Sequence, residues 1–243
     1  MWDSIYIEQF CENQLSLEVI DFTPSIYVAD NTISAICKCL PNLQELIVVY
    51  KRTINKCIIQ IFQLQNLVKL DLSCCFCISQ LSYQKAVSYL KTVKLKYLSL
   101  AFAKISDADL FKLLKCNQNI RCLKIPGTCI SNKTLNMICK NLILLECLTL
   151  SSCPGISDSG LTGEFENYSD SLTPTPLSNL KYLKELNLNQ NSSITNEGCV
   201  KAIRFPKLEK LFLHNCGRLV LSEEFKMEIK KQNPRLHSFN PHF

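Results

Sequence analysis

Residues 95–114 read LKYLSLAFAKISDADLFKLL, and this stretch contains one complete structural unit. Leu95, Leu98 and Leu100 are spaced apolar-x-x-apolar-x-apolar, and the last two alternate with Tyr97 and Ser99, the period-two mark of a short strand with one buried face. Ile105-Ser106-Asp107 then offers an inward apolar residue followed by side chains that can accept bonds from the unpaired N–H groups of a helix start. Leu110, Leu113 and Leu114 stand at i, i+3, i+4, the stripe of an amphipathic helix.

The same unit recurs along the chain. The strand triplet appears at Leu17/Ile20/Phe22, Leu43/Leu46/Val48, Leu67/Leu70/Leu72, Leu95/Leu98/Leu100, Ile120/Leu123/Ile125, Leu145/Leu148/Leu150, Leu183/Leu186/Leu188 and Leu208/Leu211/Leu213. Seven intervals of 26, 24, 28, 25, 25, 38 and 25 residues separate the starts, and all but the 38 fall in the period of a leucine-rich repeat. Helical stripes precede most strands, at Ile33/Ile36/Cys37, Ile58/Ile61/Phe62, Ala86/Tyr89/Leu90 and onward. No unit can bury both its strand and its stripe alone, so the repeats must stack. The expected fold is α/β: a leucine-rich-repeat solenoid (horseshoe) with an inner parallel β-sheet and outer helices. Residues 1–16 read as the helical half of an incomplete repeat, 17–233 as about eight repeats, and 234–243 as a C-terminal tail.

The 38-residue interval carries a loop insertion near 162–176, rich in Glu, Ser, Thr and Pro, expected to leave the core as a mobile loop. Thr173-Pro174 and Thr175-Pro176 within it make Thr173 and Thr175 candidate phosphorylation sites.

Composition restricts the remaining options. At 47% hydrophobic with 6 Gly and 9 Pro, the chain is not disordered or collagen-like. No apolar run approaches the roughly 18 residues of a membrane span, so no membrane partner is expected. The first twenty residues have no basic stretch and are interrupted by Glu8, Glu12 and Asn13, unlike a signal peptide, so a cytoplasmic and/or nuclear location is expected. Fifteen cysteines without a secretory segment read as reduced thiols. The net charge of +6 hides an asymmetry: residues 1–50 hold one Lys/Arg against seven Asp/Glu, and 51–150 hold fifteen against four. Most of those lysines are isolated, which favours a solvated surface over a nucleic-acid site.

Cysteine three residues past the last strand leucine, at Cys75, Cys153 and Cys216, combines with the Ile-Ser-Asp turns in a repeat that resembles the cysteine-containing leucine-rich repeats of the F-box/leucine-rich-repeat family. The resemblance covers roughly residues 5–216. It implies a protein substrate receptor of a Skp–cullin–F-box ubiquitin ligase, with Skp adaptor and cullin as partners only where an F-box lies upstream. None is recognisable here, and the chain also resembles the F-box-less antagonist-of-mitotic-exit type, which implies a scaffold or inhibitor. Ciliary or ribonuclease-inhibitor-like binders are further scaffold readings.

No catalytic or cofactor motif is present: there is no Walker loop, no Gly-x-Gly-x-x-Gly and no Gly-x-Ser-x-Gly, so a non-enzyme without cofactors is expected. Cys37/Cys39, Cys74/Cys75/Cys77 and His214/Cys216 lack the paired spacing of a zinc site, and no metal is expected; Cys74 and Cys77 are the thiols expected to be exposed. Strand alternation instead assigns a protein partner to the concave face of the sheet. Ile47, Val49, Tyr50, Tyr97 and Phe102 form its apolar part, accompanied by Lys69, Asp71, Lys124, Glu185, Asn187, Lys210, Phe212 and His214.

Overall fold

A computed structural model describes residues 9–23 except 12, then 28–90, 94–164 and 173–240. Two compact units divide the chain, Met1–Asn119 and Ile120–Phe243.

In the first unit strands β1 (Val19–Asp21), β2 (Glu45–Ile47), β3 (Lys69–Asp71) and β4 (Tyr97–Ser99) alternate with helices α1 (Asp30–Cys39), α2 (Ile58–Ile61), α3 (Gln80–Ser88) and α4 (Asp107–Lys115). All adjacent strands pair in parallel without register slip: Ile20 lies beside Leu46, Leu46 beside Leu70, and Leu70 beside Leu98. Leu46, Leu70 and Leu98 are buried, as are Ile33, Ile36, Ile58, Ile61, Leu110, Leu113 and Leu114 on the helices. The core therefore lies between strand and helix layers, as stacking requires. One stripe differs from expectation. Tyr89 is exposed, and Tyr83, Ala86 and Val87 face inward instead, because α3 ends at Ser88 and no longer carries Tyr89 around to the core.

The second unit has β5 (Cys122–Lys124), α5 (Asn132–Asn141), β6 (Cys147–Thr149), α6 (Asp158–Thr162), a 3-10 turn at Leu177–Asn179, β7 (Glu185–Asn187), α7 (Asn196–Ala202), β8 (Lys210–Phe212), α8 (Glu223–Gln232) and β9 (Ser238–Phe239). Its strands are again parallel and in register, with Leu123, Leu148, Leu186 and Leu211 side by side. The segment 234–243 is not simply a tail. Ser238 pairs with Lys210 and Phe239 with Leu211, so its described part adds a ninth strand, fastened from within the turn by the buried Asn233, which donates to Ile203 O at 2.9 Å. The inserted loop interrupts one helix: α6 stops at Gly163, whose left-handed backbone (φ +77°) turns the chain, and the 3-10 turn returns Leu177 and Leu180 to the core. Residues 165–172 and most of 1–16 lie outside the described residues.

Two repeated polar devices hold the stack. Ser79, Ser106, Ser131, Thr195 and Ser222 each accept a bond from the backbone N–H three residues on, as N-caps. The neighbouring acid or amide reaches forward to the next repeat. Asp30 accepts from the N–H groups of Asn55, Lys56 and Cys57 at 2.7, 3.0 and 3.1 Å, and Asn132 Oδ1 accepts from Ser157 N at 3.0 Å. Burial pushes the Asp30 pKa up, but these three donors outweigh it and hold the carboxyl below its ordinary value. The second device lies just beyond each strand. Cys75 donates its thiol to Val48 O at 2.8 Å, Cys153 to Ile125 O at 3.4 Å and Cys216 to Leu188 O at 3.3 Å. Asn191 at the equivalent place donates to Leu150 O at 2.9 Å and Leu188 O at 2.8 Å. These buried donors satisfy carbonyls where the strand ladder ends.

Candidate functional site

On β2 to β8 the middle residue is buried between two flanking residues on the opposite face, which makes the open face of the sheet a grid of two rows. In the first unit one row runs Val19, Glu45, Lys69, Tyr97 and the other Asp21, Ile47, Asp71, Ser99. The grid is internally bonded. Lys69 Nζ lies 3.2 Å from Glu45 Oε2 and 5.7 Å from the centre of the Tyr97 ring, and Tyr97 donates its hydroxyl to Asp71 Oδ2 at 3.3 Å. Asp71 also accepts from Ser73 Oγ at 2.5 Å, and Ser73 Oγ meets Ser99 Oγ at 2.6 Å. Cross-strand partners therefore fix Lys69, Asp71 and Tyr97 in place, so a ligand would meet groups already ordered.

Val48, Leu72, Leu100, Ile125, Leu150, Leu188 and Leu213 each end a strand triplet, and two residues on from each the backbone turns left-handed. Those positions hold Tyr50, Cys74, Phe102, Gly127, Ser152, Gln190 and Asn215, with φ between 55° and 65°. Only one is glycine, the residue for which this conformation carries no steric cost. At Tyr50 and Phe102 it turns aromatic rings outward; they are 70% and 45% exposed. Cys74, expected to be an exposed thiol, is 7% exposed at the same position, while Cys77 is exposed. Ile47 and Val49 are half-buried.

In the second unit the rows are Cys122, Cys147, Glu185, Lys210, Ser238 and Lys124, Thr149, Asn187, Phe212. Lys210 Nζ lies 3.5 Å from Glu185 Oε2, and Asn187 accepts from the Asn189 N–H at 3.0 Å. Phe212 departs from expectation: it is 5% exposed, at the end of the strand that pairs with β9, and so offers little contact surface. His214 is half-buried, its backbone N–H given to Asn189 Oδ1 at 2.7 Å.

One cluster escaped the strand-alternation argument. Glu146 accepts from Arg121 Nη1 at 2.6 Å and from Lys184 Nζ at 2.7 Å, and the Lys184 bond, then the Arg121 bond, hold its carboxyl below the usual range. All three stand one residue before a strand, so reading that repeat position down the stack shows their plus-minus-plus order.

Thr173 and Thr175 do not sit on a free loop. Asn136 on α5 accepts from the Thr175 N–H at 2.7 Å and donates to Thr173 O at 3.3 Å, while Lys140 Nζ donates to Thr173 Oγ1 at 2.9 Å. The loop's return limb is thus tied to a helix, while residues 165–172, on which the expectation of mobility chiefly falls, lie outside the described residues. Among the described residues no three His, Cys, Asp or Glu side chains converge as metal ligands, and no helix is long and apolar enough to cross a membrane. A half-open groove of about 410 Å³ lies on the helical side of the first unit, lined by Cys37, Pro41, Gln60 and Leu64 among others, away from the strand face.

Comparison with known proteins agrees with this geometry. A family model described as "Leucine Rich repeat" matches residues 179–201. The internalin InlF of Listeria monocytogenes superimposes with a TM-score of 0.62 at 19% identity, covering 94% of this chain and 56% of that one. The chain has the leucine-rich-repeat fold. The yeast Rad7 and Elc1 complex provides a further match, with a TM-score of 0.52 at 18% identity over 98% of this chain and 72% of that one. In sequence, the Antagonist of mitotic exit network protein 1 of Candida albicans is 28% identical over 129 residues. Those residues are 53% of this chain but 19% of that relative's length.

Proposed function

We propose that this chain is a non-catalytic recognition module that captures a protein partner on the open face of its sheet. The observation that carries this reading is the preassembled Glu45–Lys69–Tyr97–Asp71 network, flanked by the outward rings of Tyr50 and Phe102. An aromatic anchor ringed by ordered charges is the composition expected of a binding hot spot. The finer proposal is a substrate receptor associated with a Skp–cullin–F-box ubiquitin ligase, acting in the cytoplasm or nucleus. Its support is the Cys-bearing repeat and its Ile-Ser-Asp turns. The likeness to an antagonist of mitotic exit favours a second reading, an F-box-less inhibitor or scaffold.

Affinity purification of the tagged chain from cells, compared with Tyr97→Ala and Lys69→Glu, tests both levels. A specific protein lost from both variants, each still cooperatively folded at the assay temperature, supports recognition by this face. Retention of every co-purifying protein by both variants overturns it. Skp and cullin among the recovered proteins support the ligase reading; a partner without them favours the scaffold.

A further inference from the structure

Cys122 and Cys147 open the adjacent parallel strands β5 and β6, and they are direct register partners. Neighbouring strands run about 4.8 Å apart, so two in-register side chains on one face are lateral neighbours. That spacing lies within the roughly 4.4–6.8 Å Cα separation across which a disulfide can form. Both side chains are half-exposed on the open face, and both are thiols. Of the fifteen cysteines, these two alone occupy the same outward position on consecutive strands.

We propose that Cys122 and Cys147 form a reversible cross-strand disulfide by exchange with a small-molecule disulfide such as oxidised glutathione. This does not depend on the partner-binding reading. The hydrogen bond with Cys122, then burial, pushes the Cys147 thiol up, which places the two sulfurs in direct contact. In the first step the Cys122 thiolate bonds to one glutathione sulfur, the glutathione S–S bond breaks, and the other glutathione leaves as thiolate. In the second, Cys147 gives up its proton and bonds to the Cys122 sulfur, expelling the remaining glutathione. Two cysteines are oxidised by two electrons, one glutathione disulfide becomes two glutathione thiols, and the two protein protons go to them. The bond would tie neighbouring repeats on the open face.

The test uses the reduced full-length chain, equilibrated at low protein concentration with glutathione buffers of rising oxidised fraction, acid-quenched, alkylated and mapped by mass spectrometry. A peptide pair linked through Cys122 and Cys147 should accumulate within one chain, while exposed Cys77, Cys116 and Cys129 carry glutathione. In Cys147→Ser, Cys122 should instead retain one glutathione. Recovery of Cys122 and Cys147 unlinked once those three exposed thiols have reacted would overturn the proposal. The wild-type map decides this even if Cys147→Ser fails to fold.

Discussion

Asp158 and Thr195 stand one repeat apart, and the Asp158 carboxylate takes both local donors of Thr195: the backbone N–H at 2.9 Å and the hydroxyl at 2.6 Å. Thr195 in turn accepts from the Gly198 N–H at 3.2 Å, so one repeat's acid orders the next repeat's helix start. A Cβ on Gly198 would lie 2.1 Å from Asp158 Oδ1 and 2.7 Å from its Cβ.

Gly198→Ala therefore should not give the usual gain of roughly 0.5–1 kcal/mol for removing a helical glycine. It should displace Asp158, leave Thr195 with a lost charge-assisted partner, and cost about 1–3 kcal/mol. Urea unfolding measures this; an unchanged or raised midpoint would show that the Asp158 contact carries no weight.

Leu98→Ala and Tyr97→Ala should separate core from surface. Leu98 is fully buried, and truncating it should cost about 2–5 kcal/mol. Tyr97 is half-buried and loses one bond to Asp71 and a contact with Lys69, worth about 1 kcal/mol together. Equal losses in melting temperature would contradict the register, since a one-residue slip exchanges the two faces.

Phe102→Gly should be more stable than Phe102→Ala by about 1 kcal/mol, because the φ of 57° is strained for any residue with a Cβ. Both should weaken partner capture if the ring is an anchor. Thermal melts of the pair check the backbone part directly.

Glu146→Gln should cost less than about 1 kcal/mol at neutral pH, the range for exposed ion pairs. The Glu146 carboxyl is depressed, so its contribution is present above the unfolded carboxylate pKa of roughly 4.3 and is lost as pH falls through the lower folded value. Wild type and variant should converge in acid and in high salt. A difference that persists at pH 2 would contradict an electrostatic origin.

The repeat register, the inward leucines and the Ser/Thr caps could be read from the chain because each is a residue type recurring at one period. The left-handed turns could not. Of Tyr50, Cys74, Phe102, Gly127, Ser152, Gln190 and Asn215, only Gly127 and Asn215 are residue types that favour a positive φ, and the other five give no local signal of it. The burial of Phe212 is likewise not legible in the strand alternation. Leu236 and Phe239 repeat the first two places of the strand triplet 28 residues after Leu208 and Leu211, but Pro241 cuts the pattern short, so β9 is not legible as a further strand. Glu146, Arg121 and Lys184 lie outside the triplet altogether, where long side chains rather than backbone period bring them together.

The thiols at Cys75, Cys153 and Cys216, each given to a strand-end carbonyl, have a use beyond packing. Burial pushes the Cys75 thiol up to about 11, and raises Cys153 and Cys216 as well, so none is reactive while its repeat is closed. Each becomes available to an alkylating reagent only when the carbonyl it serves is uncovered. The three lie in different repeats, so their separate labelling rates form a set of internal clocks for local opening along the chain, read by mass spectrometry without introducing a single probe.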